Sequence, residues 1–144
     1  MLLKSIDQIE YKLLLAALVT LIIAGCGSDA QVNYYDKSLK KSKLKCLSFN
    51  PQNNTNLEKY LSGIYKFNSS CKSRLELSYR SKIVCNSSYN APQKATSSFP
   101  NAYIKLEVLK GFNLQYSYYL DLTSKPTTKD IKKAFSRLQS DILE

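Results

Sequence analysis

Hydrophobic residues along this chain change period several times, and each change predicts an element. Leu13 to Ala24 is an almost unbroken apolar run, preceded by Lys4 and Lys12 and closed by small residues. It is too short to cross a ~30 Å hydrocarbon core as a permanent helix, and it reads as the hydrophobic region of a secretory signal peptide. Residues 27–43 are polar with no helical period, which predicts a flexible linker. Leu44 to Phe49 then reads as a short strand with Leu44, Cys46 and Ser48 on one side, and Asn50-Pro51-Gln52-Asn53 as a turn. Leu57, Tyr60, Leu61 and Ile64 recur at i, i+3, i+4 and i+7, which predicts a helix capped by Thr55 or Asn56. Asn68-Ser69-Ser70 closes that segment.

From Arg74 the period is two. Leu75, Leu77 and Tyr79 point one way, and Arg74, Glu76, Ser78 and Arg80 the other. Ile83 and Val84 continue or restart this strand, and residues 86–98 read as an exposed loop. Ala102 to Leu122 predicts a hairpin. Ile104, Leu106 and Val108 form one apolar row, and Phe112, Leu114, Tyr116, Tyr118 and Leu120 form the other. A two-residue turn at Lys110-Gly111 would set Leu106 opposite Gln115 and mix the faces. A three-residue loop, Leu109-Lys110-Gly111, keeps them apart and pairs Val108 with Phe112, Leu106 with Leu114 and Ile104 with Tyr116. After Pro126, Thr127-Thr128-Lys129-Asp130 has the form of a capping box. It precedes a helix whose apolar stripe is Ile131, Ala134, Phe135, Leu138 and Ile142. The expected fold is α+β. Two helices pack on one face of a small, mainly antiparallel four-stranded sheet, in the order β-α-β-β-β-α.

The residues closing the leader sharpen the address. Ile23-Ala24-Gly25-Cys26 resembles the lipobox of bacterial lipoproteins. The resemblance implies cleavage before Cys26, lipidation of its sulfur and acylation of the new amino terminus. It divides the chain into a signal peptide (1–25), a basic lipidated tether (26–43) and a single α+β domain (44–144). More than one acyl chain makes anchoring stable, at ~0.8 kcal/mol per buried methylene. Gly27 and Ser28 stand where members retained at the inner membrane usually carry Asp, so the resemblance implies an outer-membrane anchor with the domain in the periplasm.

Charge narrows the choice of partner. The net charge is +10. Lys4, Lys12, Asp7 and Glu10 cancel within the leader, so the remainder keeps all of it. Such an excess implies acidic company. In a cell envelope this means anionic phospholipid, lipopolysaccharide phosphates, peptidoglycan carboxylates or an acidic protein. An exported lipoprotein rarely meets nucleic acid, and no such partner is expected. The densest basic run is Lys37, Lys40, Lys41, Lys43 and Lys45.

Three cysteines remain besides Cys26, in a compartment that permits disulfides. Cys46, Cys71 and Cys85 allow three single pairings. Cys71 and Cys85 flank a strand and lie closest in sequence, so they are the favoured pair, leaving Cys46 over. No CxxC is present, which argues against a thioredoxin-type site or a zinc knuckle.

Catalytic chemistry finds little material. The chain has no His and no Trp, and its one Met is Met1. The commonest general base and metal ligand is therefore absent. Glu76, Glu107 and Asp121 sit among lysines, as solvated sheet charges do. There is no phosphate loop, no GxSxG and no calcium loop. No enzyme, cofactor or metal is expected. The eleven tyrosines suit recognition as well as strands. Tyr103 and Tyr119 alternate onto the wet face with Lys105. With Lys129, Lys132, Lys133 and Arg137 of the last helix, these are the candidate contacts for an anionic ligand or partner.

In element order and basic charge, from about Leu44 to Leu143, the chain resembles the lipoprotein partners of the lipopolysaccharide translocon. That resemblance implies a non-enzymatic role in envelope assembly, beside an outer-membrane barrel and lipopolysaccharide. It rests on no shared motif and carries over no binding residue. Two other functions fit the same residues: a structural subunit of a secretion or flagellar envelope complex, and a peptidoglycan-binding module.

Overall fold

A computed structural model describes residues 30–83 and 100–144. The class is α+β, and the sheet has five strands rather than four. In chain order the elements are β1 (Gln31–Tyr34), a 3-10 helix (Lys37–Lys40), β2 (Ser48–Phe49), α1 (Asn56–Ile64), β3 (Ser73–Arg80), β4 (Ala102–Lys110), β5 (Asn113–Leu122) and α2 (Thr128–Ile142). The strands lie in the order β1-β5-β4-β3-β2. All neighbours are antiparallel except β2 and β3.

The added strand comes from the expected tether. Gln31 to Tyr34 alternates polar and apolar, and β1 pairs with β5 from Tyr119 to Tyr116. The Tyr34 ring stands edge-on to Tyr116, with centroids 5.3 Å apart. Lys40 places its ammonium 4.8 Å from the centre of the Tyr34 ring. Leu39 is buried, and Lys43 donates to the Ser140 carbonyl at 2.8 Å. Residues from Ala30 onward thus belong to the domain. Four alternating residues in a polar stretch are too few for their period to stand out; the partner strand decides them.

The strand expected over Leu44–Phe49 is shorter. Only Ser48–Phe49 pairs with β3, and in parallel. Leu44 instead bridges to Leu143: its N–H donates to the Ile142 carbonyl at 2.8 Å, and Glu144 returns a bond to the Leu44 carbonyl at 3.1 Å. Leu47 is fully buried, so the inward side is not that of Cys46 and Ser48.

The disulfide also differs from expectation. Cys46 bonds to Cys71, with Cα atoms 6.0 Å apart. The Asn68 N–H donates to the Leu47 carbonyl at 2.9 Å, which brings the two segments side by side. Proximity in sequence favoured Cys71–Cys85, but proximity in space decides the bond. Cys85, Val84 and the loop expected over 86–98 lie outside the described residues, as does Cys26.

The hairpin has its expected strands but not its expected register. Lys110 pairs with Asn113 across a two-residue turn, Gly111-Phe112. Gly111 has φ +62°, and glycine first with positive φ suits a II′ hairpin turn. Unbroken, this register would set Val108 opposite Gln115 and mix the faces. A bulge between Val108 and Leu109 restores them. Val108 then meets Tyr116, Leu106 meets Tyr118 and Ile104 meets Leu120. Phe112 and Leu114 accordingly do not join the core.

Both helices lie on the apolar face. Leu61 of α1 and Ile131, Ala134, Phe135, Leu138 and Ile142 of α2 pack on Leu75, Ile104, Leu106, Val108, Tyr116, Tyr118 and Leu120. Each helix starts in a capping box, Thr55 with Glu58 and Thr127 with Asp130.

Candidate basic and aromatic surface

The residues expected to form one contact surface divide between two sides of the molecule. Tyr103, Lys105 and Tyr119 do meet on the sheet face away from the helices. The rings of Tyr103 and Tyr119 stack with centroids 5.4 Å apart. The Tyr119 hydroxyl donates to Asp121 at 2.8 Å. Burial, with that carboxylate beside it, pushes the Tyr119 phenol up to about 12. Lys105 forms an ion pair with Glu107 at 2.8 Å, and this bond raises its pKa. Arg74 is paired with Glu76 at 2.7 Å on the same face. Charge here is locally balanced, so this face carries little of the +10.

Lys129, Lys132, Lys133 and Arg137 ride on α2, in the opposite layer. Arg137 is committed: its Nε lies 3.0 Å from both oxygens of Asp141. Asp141 also accepts the Tyr116 hydroxyl at 2.9 Å. Burial, reinforced by that carboxylate, raises the Tyr116 phenol well above its ordinary range. The three α2 lysines are exposed and enter no ion pair among the described residues.

A third cationic surface was not legible in the sequence. At the end of the sheet where β1 stops and the β4–β5 hairpin turns, Lys37, Lys72 and Lys110 border an open depression of about 1040 Å³. Tyr35 and Leu114 line it as well. Phe112 stands at the adjacent turn with its side chain wholly exposed (101 %), and Tyr35 is 58 % exposed. Among the described residues, the one carboxylate lining this end is Asp36. The Ser38 hydroxyl and N–H donate to it at 2.6 and 2.9 Å, and Gln115 donates at 3.3 Å. Those bonds, from Ser38 first, hold the Asp36 carboxyl below its usual range. Its oxygens are thus occupied by neutral donors rather than by the lysines.

The bulge builds this end. Gln115 is its extra residue, and its side chain is buried. Its amide oxygen accepts from the Ser73 hydroxyl at 3.0 Å. Its main-chain carbonyl accepts from the N–H groups of Tyr35 and Asp36 at 2.9 and 3.0 Å. One residue thereby fastens the end of β1, the start of β3 and the hairpin together. Lys37, Lys72 and Lys110 are far apart in sequence: the pairing of Ser73 with Lys110 sets Lys72 beside Lys110, and the Gln115 bonds to Tyr35 and Asp36 bring up Lys37.

Among the described residues, no group of three or more His, Cys, Asp or Glu side chains is placed to hold a metal ion. No helix there is long and apolar enough to cross a membrane. Comparison with protein-family models, curated proteins and solved structures found no match.

Proposed function

We propose that this chain is a non-enzymatic outer-membrane lipoprotein, anchored through Cys26, whose basic periplasmic domain assists envelope assembly by engaging anionic glycolipid. The role resembles that of a lipopolysaccharide-translocon partner. One observation carries the reading: Lys37, Lys72 and Lys110 border one depression with Tyr35 and Leu114, beside the exposed Phe112, and the Asp36 carboxylate in its lining forms no ion pair with them. An aromatic residue that enters the acyl boundary, with lysines at phosphate depth, is the chemistry of a charged lipid surface. Each lysine near such a surface adds ~1 kcal/mol of attraction.

The alternative role, a structural subunit of a secretion or flagellar complex, draws on the stacked Tyr103–Tyr119 pair on the open face.

Titration of the purified full-length chain into lipopolysaccharide vesicles tests the proposal. Changing Phe112→Ser with Lys37→Glu, Lys72→Glu and Lys110→Glu should weaken binding at least tenfold, given ~1 kcal/mol per lysine. Reversing Lys129, Lys132 and Lys133 should cost less. Equal loss from both sets would refute the assignment to the hairpin end. Mass spectrometry of the amino-terminal peptide from cells checks for acyl chains on Cys26.

A further inference from the structure

Among the described residues, the edge of the sheet at β3 is uncovered along most of its length. β2 is two residues long and reaches only Arg74 and Leu75. β3 continues to Arg80, and its other side is fully paired with β4. From Glu76 to Arg80 the outward edge therefore meets no strand among the described residues. It opens on a groove of about 390 Å³ bordered by Phe49, Asn50, Gln52 and Asn53. Such an edge presents backbone donors and acceptors ready to pair with another strand.

We infer that this edge pairs with the same edge of a second copy of the chain, antiparallel about Ser78. In that register Ser78 meets Ser78, Leu77 meets the second copy's Tyr79, and Glu76 meets the second copy's Arg80. A two-fold axis perpendicular to the sheet repeats each pair, as an isologous contact requires. The segment Glu76-Leu77-Ser78-Tyr79-Arg80 is thus complementary to itself in charge and in apolarity. Two ion pairs form on the open face, and two apolar pairs on the helix side. Leu77 and Tyr79 are only partly buried against the core, and this pairing covers them.

Neighbouring registers fare worse. Centring on Leu77 sets Arg74 against Arg80 and drives the incoming strand into β2. Centring on Tyr79 requires Lys82 within the strand, but Lys82 has φ +59° and lies beyond its end. That left-handed residue also serves the favoured register. It turns each chain away just past Arg80, where the second copy's β2 begins. The Ile83 N–H then bonds to Asn101 of its own chain at 2.8 Å.

A five-residue edge buries little area, so the pair is weak in dilute solution and is favoured where copies are concentrated. Membrane anchorage would supply such concentration; only this last point rests on the function proposed above.

The test uses the full-length chain. Ser78→Cys should give an oxidised dimer on non-reducing gels of cells. Neither the parent, with its own cysteines, nor Asn33→Cys on the opposite edge should do so. In sedimentation of the purified protein, Glu76→Arg or Arg80→Glu alone should weaken self-association about tenfold, and the double exchange should restore it. Crosslinking by Asn33→Cys as strong as by Ser78→Cys would overturn the proposal. So would a double exchange that fails to rescue, or a folded monomer at about 1 mM. Sedimentation needs no lipid, so an absence of acyl chains on Cys26 would refute the anchorage and leave this pairing standing.

Discussion

Gln115 donates its side-chain amide to Asp36, 3.3 Å away and 79 positions earlier in the chain. Gln115 has no partner across the β4–β5 ladder. The bond therefore turns an irregularity of the hairpin into the fastening of the amino-terminal edge strand. Gln115→Leu should leave the Ser73 hydroxyl buried without its acceptor, at a cost of about 1–3 kcal/mol. Urea unfolding measures the loss. Lipopolysaccharide affinity should fall with it, because Gln115 helps hold Asp36 and with it the neighbouring Lys37.

The covalent joint is elsewhere. The Cys46–Cys71 bond closes a separation of 25 residues, which in the chain-entropy model contributes about 3.5 kcal/mol. Cys46→Ser with Cys71→Ser should therefore lower stability by roughly 2–4 kcal/mol. Peptide mapping under non-reducing conditions should recover Cys46 linked to Cys71. Recovery of Cys71 linked to Cys85 would contradict the structure.

Glu58 makes the first helix sensitive to acid. Burial raises its pKa, but bonds from the Thr55, Asn53 and Gln52 N–H groups and the Thr55 hydroxyl outweigh this and hold the carboxyl below its ordinary range. A lowered folded pKa means that the stabilisation is present above the unfolded value and is lost as pH falls through the folded one. Glu58→Gln should destabilise the protein at pH 7 and flatten its loss of stability in acid. Thermal unfolding from pH 7 to pH 2 is the measurement.

At high pH the order reverses. Burial lifts the Tyr116 and Tyr119 phenols, with Asp141 and Asp121 reinforcing it. A raised folded pKa gives stability that is present below the unfolded value near 10 and lost as pH climbs through the folded one. Absorbance titration at alkaline pH should show a late fraction of tyrosinate. Tyr119→Phe should remove the part that appears near 12.

Gly111 supplies the φ +62° on which the turn depends, and a Cβ there would meet nothing within 4 Å. Gly111→Ala should cost about 1–2 kcal/mol from backbone strain alone. It should leave the core packing unchanged, as side-chain chemical shifts of Ile104 and Leu106 would report.

Local pattern alone settled much of this protein. The period-two rows of β3, β4 and β5 and the helical stripes of α1 and α2 each need a single buried face, and that need is written in neighbouring residues. The Thr127–Asp130 cap is local chemistry of the same kind. The tertiary structure decided whatever depends on a partner distant in the chain. Val32 and Tyr34 become strand because β5 offers an edge. Cys46 reaches Cys71 because Leu47 and Asn68 lie side by side. The hairpin could preserve its faces by a longer loop or by a bulge, and period two permits both. Packing of Tyr116 and Tyr118 against the helices, with Gln115 buried between Ser73 and Asp36, selects the bulge. Lys37, Lys72 and Lys110 share no period and no motif. They form one surface because the sheet ends there, and only the assembled backbone brings those ends together.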